Sequence, residues 1–485
     1  MKPKSIKINY FLNVLRISSG LLIGLFTMPY INTVLGAASL GKVEYVYSII
    51  SYFVLFSALG IPMYGIRETA RVRDNVKERT KFLLEMFGIL AITTVISYLI
   101  IFGIIIQLDY FRDLKLLLVI MSSIVFISNI GFEWFYQGME DQLFITIRYL
   151  IVRTIGLLLL FLLVKSPDDY INYGIIMIIT TVGGNFFNVL YLRKFVDFSQ
   201  VKFSELDIKK HIKPIATIFV ASISISIYLL LDTTMLGSIS GNKSVGYYSV
   251  ANKLIRFVIV FITTLGAVLL PRLSYLIKID KAQYTAYARK SIQYILLVSF
   301  PCAVLFLLLA HDLIMLMAGP NFLPSVLILQ ILSPIIIVVG IAYFIGYLVL
   351  YPQGKEKIYT IAVAISAVCS VLCNLYAIPH FSHYGAAAVT VLSESMGVFL
   401  MIILARKELK DLNFFSKSFF LYILGSLLMV VAIEAVGLLN LPLIYNLVFS
   451  SFAGFTCFFL FLFLFKEEIT RETFLLIQSK VISKK

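Results

Sequence analysis

The residues of this sequence best suited to chemistry are charged side chains that lie inside long apolar segments. Near the N-terminus, a polar stripe follows a 4-3-4 spacing that keeps its members on one helical face: Asn9, Asn13, Arg16 and Gly20. An ionised side chain at the bilayer centre costs at least about 2.5–3.5 kcal/mol, so such a group should face protein or water. Arg16 therefore either extends back to the membrane surface or lines a polar wall with Asn13, and the Asn face favours the wall.

A second cationic face is predicted further along the chain, at Asn252, Lys253 and Arg256. Lys253 and Arg256 are three residues apart, and like charges so placed repel each other unless an anion or a carboxylate lies between them. This spacing favours a binding role over a structural one. Arg153 lies about 16 Å from the inner end of its own apolar segment, and it is predicted to line a polar cavity together with the cations above. Arg148 is instead expected to extend to the membrane surface.

Three carboxylates are candidates for balancing these cations or for carrying a coupling ion: Glu133, Asp232 and Glu394. Glu394 is near the middle of its apolar segment, where a carboxylate is costly unless it has a partner. Asp232 is near an outer end, where a solvated or locally paired side chain is expected. The spacing does not separate charge balance from ion coupling.

The composition of the whole chain indicates the environment in which these charged residues lie. The chain has 485 residues, of which 60% are hydrophobic and 14% charged, and its mean hydropathy is +0.95. Soluble proteins average roughly 45–50% apolar residues, so this composition excludes a soluble enzyme, a disordered chain and a disulfide scaffold. The net charge of +15 indicates an anionic membrane surface rather than a nucleic acid as partner. The four cysteines form no CxxC pair, and no metal site is predicted.

Fourteen apolar stretches are long enough to cross a bilayer as helices. They run near residues 10–34, 42–66, 82–107, 114–137, 142–164, 171–192, 214–239, 247–271, 291–317, 326–351, 359–379, 385–405, 419–437 and 444–465. Most of the 41 Lys and Arg residues fall in the connections on the side that holds both termini. The excess of positive charge on the inner side of membrane proteins therefore predicts that both termini are cytoplasmic.

A short internal repeat predicts how these spans are arranged. The tetrapeptide that starts at Thr33 resembles the one that starts at Thr234, and Leu40-Gly41 resembles Val245-Gly246, with offsets of 201 and 205 residues. Six helices then separate the copies, which indicates two lobes related by an axis along the membrane normal. The predicted fold is an all-α integral membrane protein with lobes at 1–213 and 214–405. Residues 406–485 would add two helices and a cytoplasmic tail.

Further segments carry a resemblance to a known family. They are Leu59-Gly60-Ile61-Pro62-Met63-Tyr64-Gly65-Ile66-Arg67-Glu68-Thr69-Ala70-Arg71, Glu133-Trp134-Phe135-Tyr136-Gln137-Gly138-Met139-Glu140-Asp141 and Lys165-Ser166-Pro167-Asp168-Asp169-Tyr170. The sequence resembles the polysaccharide-transporter branch of the multidrug, oligosaccharidyl-lipid and polysaccharide exporter superfamily, the Wzx-type flippases of O-antigen and capsule repeat units. The resemblance covers most of the first ten predicted spans.

The resemblance implies a flippase that moves an undecaprenyl-pyrophosphate-linked oligosaccharide from the inner to the outer leaflet of a bacterial plasma membrane. Its product would serve capsule, O-antigen or exopolysaccharide synthesis. The resemblance implies two lobes around a cationic cavity. The positions of Arg16, Lys253 and Arg256 match the lining of that cavity, and the position of Arg153 matches it less clearly. Membrane lipids, a polysaccharide polymerase and other assembly proteins are the implied partners. No cofactor is expected, and a coupling proton or sodium ion is left open.

Two other functions remain as alternatives. An ion-coupled multidrug antiporter of the same superfamily would share the fold. A membrane polysaccharide polymerase or glycosyltransferase would be an enzyme, and it would normally need catalytic groups in a sizeable outer loop. The outer connections are short and no P-loop is present, so a transporter without its own ATPase activity is favoured over an enzyme.

Overall fold

The computed structural model describes residues 6–412 and 416–472. Within them the chain is helical, with short 3-10 and π-helical segments and no strand, which confirms the predicted all-α fold. The α-helices are α1 (Ile6–Ala58), α2 (Ile61–Val72), α3 (Val76–Gly103), α4 (Lys115–Ile130), α5 (Glu133–Gly138), α6 (Gln142–Leu163), α7 (Tyr170–Ile178), α8 (Asn185–Leu192), α9 (Lys209–Ser240), α10 (Asn242–Ile279), α11 (Lys281–Leu308), α12 (Ala310–Ala318), α13 (Pro324–Leu332), α14 (Ile335–Tyr343), α15 (Glu356–Leu404), α16 (Arg406–Leu409), α17 (Lys417–Gly437) and α18 (Leu443–Leu464).

In the described part of the chain, eleven segments are long and apolar enough to cross a membrane by length and composition. The predicted count of fourteen is therefore not confirmed. Two of the eleven segments each cover two predicted spans, because α1 and α15 run on through the predicted connections. The predicted span 214–239 lies on α9, which is not among the eleven. The chain is a multi-pass membrane protein by this composition.

Both long helices are broken where the sequence predicted a connection between spans. In α1 the break is at Gly36, with φ 66° and ψ 173°. A positive φ is readily adopted by glycine because it has no Cβ. In α15 the break is at Ser382, with φ 51° and ψ −131°, three residues after Pro379. Each of these two helices is thus two helical segments joined without a loop.

The predicted repeat is visible in the backbone, with one change of register. Gly241 separates α9 from α10 with φ 81° and ψ 171°, nearly the conformation of Gly36. These two glycines are 205 residues apart in the sequence. The structural counterpart of Gly36 is therefore Gly241, and not Gly237 as the offset of 201 predicted.

The same offset of 205 residues relates Ala37 to Asn242 and Gly41 to Gly246. A Cβ atom on Gly41 would lie 1.7 Å from the carbonyl oxygen of Asn242, and one on Gly246 would lie 1.9 Å from that of Ala37. The start of α10 and the second segment of α1 therefore touch through a reciprocal pair of contacts. We call these four residues the glycine contact.

The chain divides into two compact units, Met1–Gly246 and Tyr247–Lys485. The predicted lobe boundaries at 1–213, 214–405 and 406–485 stay a prediction. In the second unit, α17 and α18 pack against each other and both pack against α11. A Cβ atom on Gly425 of α17 would lie 3.0 Å from the ring of Phe458 on α18, so this glycine permits the close approach.

An aromatic core in the first unit positions the charged residues described below. Trp134, Phe135 and Tyr136 are buried directly after Glu133 on α5. Trp134 packs against α2 at Gly65, where a Cβ atom would lie 2.4 Å from the indole ring. The short helix α5 is thus held by its aromatic side chains, and this fixes the place of its first residue.

Candidate functional site

Arg16, Glu133 and Arg148 form an ion-paired group in the first unit, which we call the arginine–glutamate cluster. Nη1 of Arg16 lies 2.8 Å from Oε1 of Glu133, and Nη2 of Arg148 lies 2.9 Å from Oε2. Each carboxylate oxygen thus accepts a charge-assisted hydrogen bond from a different guanidinium. Two cations and one carboxylate leave the cluster with a surplus of positive charge.

Amide side chains extend the arginine–glutamate cluster. Nη2 of Arg16 donates to Oδ1 of Asn13 at 3.1 Å, and Nε2 of Gln142 donates to the same oxygen at 3.4 Å. Nε2 of Gln137 donates to Oε1 of Glu133 at 3.3 Å. The predicted pairing of Arg16 and Asn13 on one helical face is therefore present as a hydrogen bond between neighbouring turns of α1.

Two glycines make room for Arg148. A Cβ atom on Gly131 would lie 2.2 Å from Cγ of Asn185, and one on Gly184 would lie 3.0 Å from Nε of Arg148. Asn185, the first residue of α8, accepts a long hydrogen bond of 3.5 Å from Nη1 of Arg148. The guanidinium is therefore enclosed between α5 and the start of α8.

The prediction that Arg148 extends to the membrane surface is wrong. Its side chain is only 6% exposed and is paired with Glu133. Helical spacing within α6 shows the direction of a side chain but not which helix it meets. The one signal that could have identified the pair is a carboxylate near the start of the preceding helix, which can neutralise a buried guanidinium.

Arg153 occupies a different position on α6. Its guanidinium carbon lies 5.2 Å from the ring centroid of Tyr149, within the range of a cation–π contact. The hydroxyl of Tyr149 abuts α1 at Gly20, where a Cβ atom would lie only 2.1 Å away. Among the described residues Arg153 forms no ion pair with a carboxylate. Its charge is therefore not neutralised as that of Arg148 is.

Unused hydrogen-bond donors remain on these arginines. The Nε atoms of Arg16, Arg148 and Arg153 are buried and have no hydrogen-bond partner among residues 6–412 and 416–472. Leaving such a group unpaired costs about 1–3 kcal/mol. Arg16 and Arg148 share one carboxylate, so the arginine–glutamate cluster carries surplus positive charge and unpaired guanidinium donors, a combination that suits a multi-oxygen anion such as a phosphate.

The predicted cationic face of the second unit lies on α10. Lys253 is exposed, and Asn252 and Arg256 are partly buried. Lys253 and Arg256 lie about one helical turn apart, as their spacing predicted. Their meeting with Arg16 at one substrate stays a prediction.

The predicted carboxylates have different surroundings. Glu133 is paired with two arginines, as described. Asp232 on α9 is buried, with 7% exposure, although a solvated position was one of the two expectations for it. Glu394 is partly buried on the second segment of α15. Their roles in charge balance or ion coupling stay predictions.

Metal ligands are not grouped in the part of the chain that the structure describes. No cluster of three or more His, Cys, Asp and Glu side chains there is arranged to hold a metal ion. The four cysteines are free thiols.

The chain is similar in sequence to a polysaccharide biosynthesis family and to two proteins named as O-antigen transporters. The sequence pattern of the family described as "Polysaccharide biosynthesis protein" matches residues 7–277. A protein of Escherichia coli (strain K12) that is named as an O-antigen transporter is 20% identical over 392 residues, which cover 80% of this chain and 94% of that protein. A protein of Shigella dysenteriae with the same name is 24% identical over 290 residues, covering 59% of this chain and 71% of that protein.

Solved structures with the same fold include a flippase and a drug transporter. The lipid II flippase MurJ in an inward closed conformation matches with a TM-score of 0.73 and 16% identity, over 95% of this chain and 99% of that chain. An inward-facing multidrug resistance MATE family transporter of the MOP superfamily matches with a TM-score of 0.64 and 14% identity, over 85% and 97%. Since the family pattern spans more than half of the 485 residues, the chain belongs to the polysaccharide biosynthesis protein family.

Proposed function

We propose that this protein is a flippase that moves an undecaprenyl-pyrophosphate-linked oligosaccharide from the inner to the outer leaflet of a bacterial plasma membrane, for synthesis of a surface polysaccharide. The arginine–glutamate cluster is the observation that carries the proposal, because it places surplus positive charge and spare guanidinium donors within a membrane protein. The family and the fold shared with MurJ support the same conclusion.

The substrate sets the physical problem. Its polyprenyl tail can stay in lipid, but its pyrophosphate and sugars cannot cross hydrocarbon, because an isolated ion there costs tens of kcal/mol by a Born estimate. The protein therefore has to supply a hydrated path with positive charge that opens to each side in turn. Arg16 would contact the pyrophosphate with Asn13 beside it, and Arg153 would assist. Asn252, Lys253 and Arg256 would contribute from the second unit.

Glu133 has a defined part in this proposal. In the absence of substrate it neutralises half of the charge of Arg16 and Arg148, which lowers the cost of keeping two guanidiniums in a membrane protein. Arg16 is the more exposed of the two, at 21% against 6% for Arg148. An incoming pyrophosphate would therefore compete with Glu133 for Arg16, while Arg148 would keep the carboxylate in place.

The driving force follows from the charge of the substrate. With both termini cytoplasmic and the cell interior negative, each negative charge that moves outward gains about 2.3 kcal/mol per 100 mV. A coupling proton or sodium ion could add to this, and Glu394 and Asp232 are the residues that we assign to such coupling. A polysaccharide polymerase and other assembly proteins would take the product on the outer side.

The multidrug antiporter alternative shares the fold, so the fold cannot decide between the two. The site favours the flippase. A site for cationic drugs should present carboxylates, whereas the cluster in the first unit carries more guanidiniums than carboxylates.

The proposal is tested by replacing Arg16 with Ala in a strain that lacks the chromosomal copy and scoring surface polymer. Loss of a charge-assisted hydrogen bond costs about 1.5–3 kcal/mol, so export should fall about tenfold or more. Arg71→Ala is the matched control, because Arg71 is an exposed arginine paired only locally with Glu68. Membrane levels of both variants are measured by a fluorescent fusion.

A lipid-linked oligosaccharide should accumulate on the inner leaflet in the Arg16→Ala strain and not in the Arg71→Ala strain. Normal polymer export by Arg16→Ala at a normal membrane level would remove the main support for the proposal.

A further inference from the structure

A row of tyrosines in the second unit is not used by the proposed pyrophosphate site. Tyr343 and Tyr347 stack with ring centroids 5.0 Å apart and 20° between planes, and Tyr347 and Tyr351 stack at 5.3 Å and 9°. Tyr359 of α15 meets Tyr347 edge-on at 5.5 Å. We call Tyr343, Tyr347 and Tyr351 the tyrosine ladder.

The backbone beneath the tyrosine ladder is unusual. Residues Phe344–Leu350 form a π-helical segment that continues α14, and the amide of Tyr351 donates to the carbonyl of Gly346 across five residues. Such segments are rare and frequently occur at functional sites. Gly346 also lets Tyr359 pack closely, since a Cβ atom there would lie 2.5 Å from its ring.

The two sides of this segment differ sharply. Its aliphatic and phenylalanine side chains are completely buried: Phe344, Ile345, Leu348, Val349 and Leu350. The ladder side remains open, with Tyr343 and Tyr347 partly exposed and Tyr351 48% exposed. The helix is therefore anchored by one side, and on the other side it presents offset-stacked tyrosine rings whose faces only partly cover one another.

A membrane-interface belt accounts for Tyr351, at the end of the predicted span 326–351, but not for Tyr343, which lies about two helical turns deeper. Belt tyrosines gather at one depth, at the level of the lipid headgroups. The ladder instead runs along the helix for eight residues, or roughly 12 Å at an α-helical rise. Glu394 of α15 lies close enough to act electrostatically on the hydroxyl of Tyr359. Because a carboxylate is costly against hydrocarbon, the surroundings of Glu394 are better suited to a hydrated surface.

The chemistry of the ladder selects a type of ligand. The face of an aromatic ring is negative, so it attracts the weakly positive C–H groups of a sugar ring, and tyrosine hydroxyls can bond to sugar hydroxyls. The three ladder side chains carry no positive charge, and Glu394 adds negative charge nearby, so a pyrophosphate would be repelled.

We infer that the tyrosine ladder binds the pyranose rings of the saccharide carried by the lipid substrate, with the polar groups around Tyr359 and Glu394 bonding to sugar hydroxyls. This inference rests on the proposed function and extends it to the part of the substrate that bears no phosphate. It separates two tasks in the chain: guanidiniums contact the pyrophosphate, and stacked tyrosines contact the sugars.

Two lipid probes test the inference on the purified full chain in nanodiscs. One is undecaprenyl pyrophosphate without sugar, and the other is the saccharide-carrying lipid that accumulates in cells from which the gene for this chain is deleted. The variants are Tyr347→Leu, Tyr347→Phe and the more exposed Tyr351→Leu, with Tyr445→Leu as control. Tyr445 is an exposed tyrosine on α18, where it stacks on Phe449. Binding is measured by native mass spectrometry.

Each Leu variant of the ladder should bind the saccharide-carrying lipid about two- to tenfold more weakly, with unchanged affinity for undecaprenyl pyrophosphate. Tyr347→Phe should keep the affinity because the flat ring remains, and Tyr445→Leu should have no effect. Unchanged saccharide binding in both Leu variants, or equal weakening for both probes, would overturn the inference while leaving the proposed function intact. Failure of the wild-type protein to bind either probe would instead refute the proposed function, and the role of the ladder with it.

Discussion

The glycine contact between α1 and α10 makes the sharpest prediction about this fold. Replacing Gly41 with Ala would place a Cβ atom 1.7 Å from the carbonyl oxygen of Asn242 and 2.8 Å from the backbone nitrogen of Gly246. Real Cβ atoms essentially never approach another heavy atom closer than 3.0 Å. Since the obstacle is backbone, the two segments would have to separate by at least about 1.3 Å at this point.

We expect Gly41→Ala to destabilise the protein by about 3 kcal/mol or more, at the upper end of the range for overpacking a core. Gly246→Ala should act similarly, because its Cβ would lie 1.9 Å from the carbonyl oxygen of Ala37. The double variant should cost clearly less than the sum of the two single variants. Both substitutions separate the same pair of segments, and neighbouring sites of this kind are not additive.

Thermal unfolding of the detergent-solubilised protein, followed by fluorescence-detected size exclusion, measures these effects. Gly24→Ala is the matched control on the same helix, because a Cβ atom on Gly24 would have no neighbour within 4 Å. That change should be neutral or stabilise by about 0.5–1 kcal/mol, as expected when alanine replaces glycine inside a helix. If Gly41→Ala unfolds at the wild-type temperature, or if the double variant shows additive losses, the reciprocal contact is not formed as described.

Two further predictions concern ion pairs. Glu133→Gln leaves the buried guanidinium of Arg148 without its carboxylate and should destabilise the protein by about 3–5 kcal/mol, whereas Glu133→Gln with Arg148→Met should recover most of that loss in the same unfolding assay. Outside the apolar segments, a hydrogen bond from the Lys355 ammonium lowers the pKa of Glu408. A lowered carboxyl pKa in the folded protein stabilises it above the unfolded pKa, and this contribution is lost as the pH falls through the folded pKa. Lys355→Met should therefore lower the unfolding temperature at pH 7, and the difference from wild type should shrink in acid; a constant difference from pH 7 to pH 3 would contradict this explanation.

Several features of the fold could be predicted because they depend on local properties of the chain. Long apolar segments predicted a helical membrane protein, since unpaired backbone groups are too costly in lipid. The stripe that contains Asn13 and Arg16 was predicted from helical spacing, and these side chains are hydrogen-bonded in the structure. The repeat was recognised from Leu40-Gly41 and Val245-Gly246, whose glycines form the reciprocal contact.

Other features of the structure could not be predicted from the sequence, because they depend on which helices contact each other. The sequence by itself determined the all-helical membrane class, the division between spans near residues 36 and 382, and the set of charged residues that need partners, because hydrophobicity and charge are properties of each segment. Only the tertiary structure paired Arg148 with Glu133 and aligned the tyrosine ladder on a π-helical segment. These arrangements depend on contacts between segments and on one extra residue in a helical turn, and helical periodicity carries no information about either.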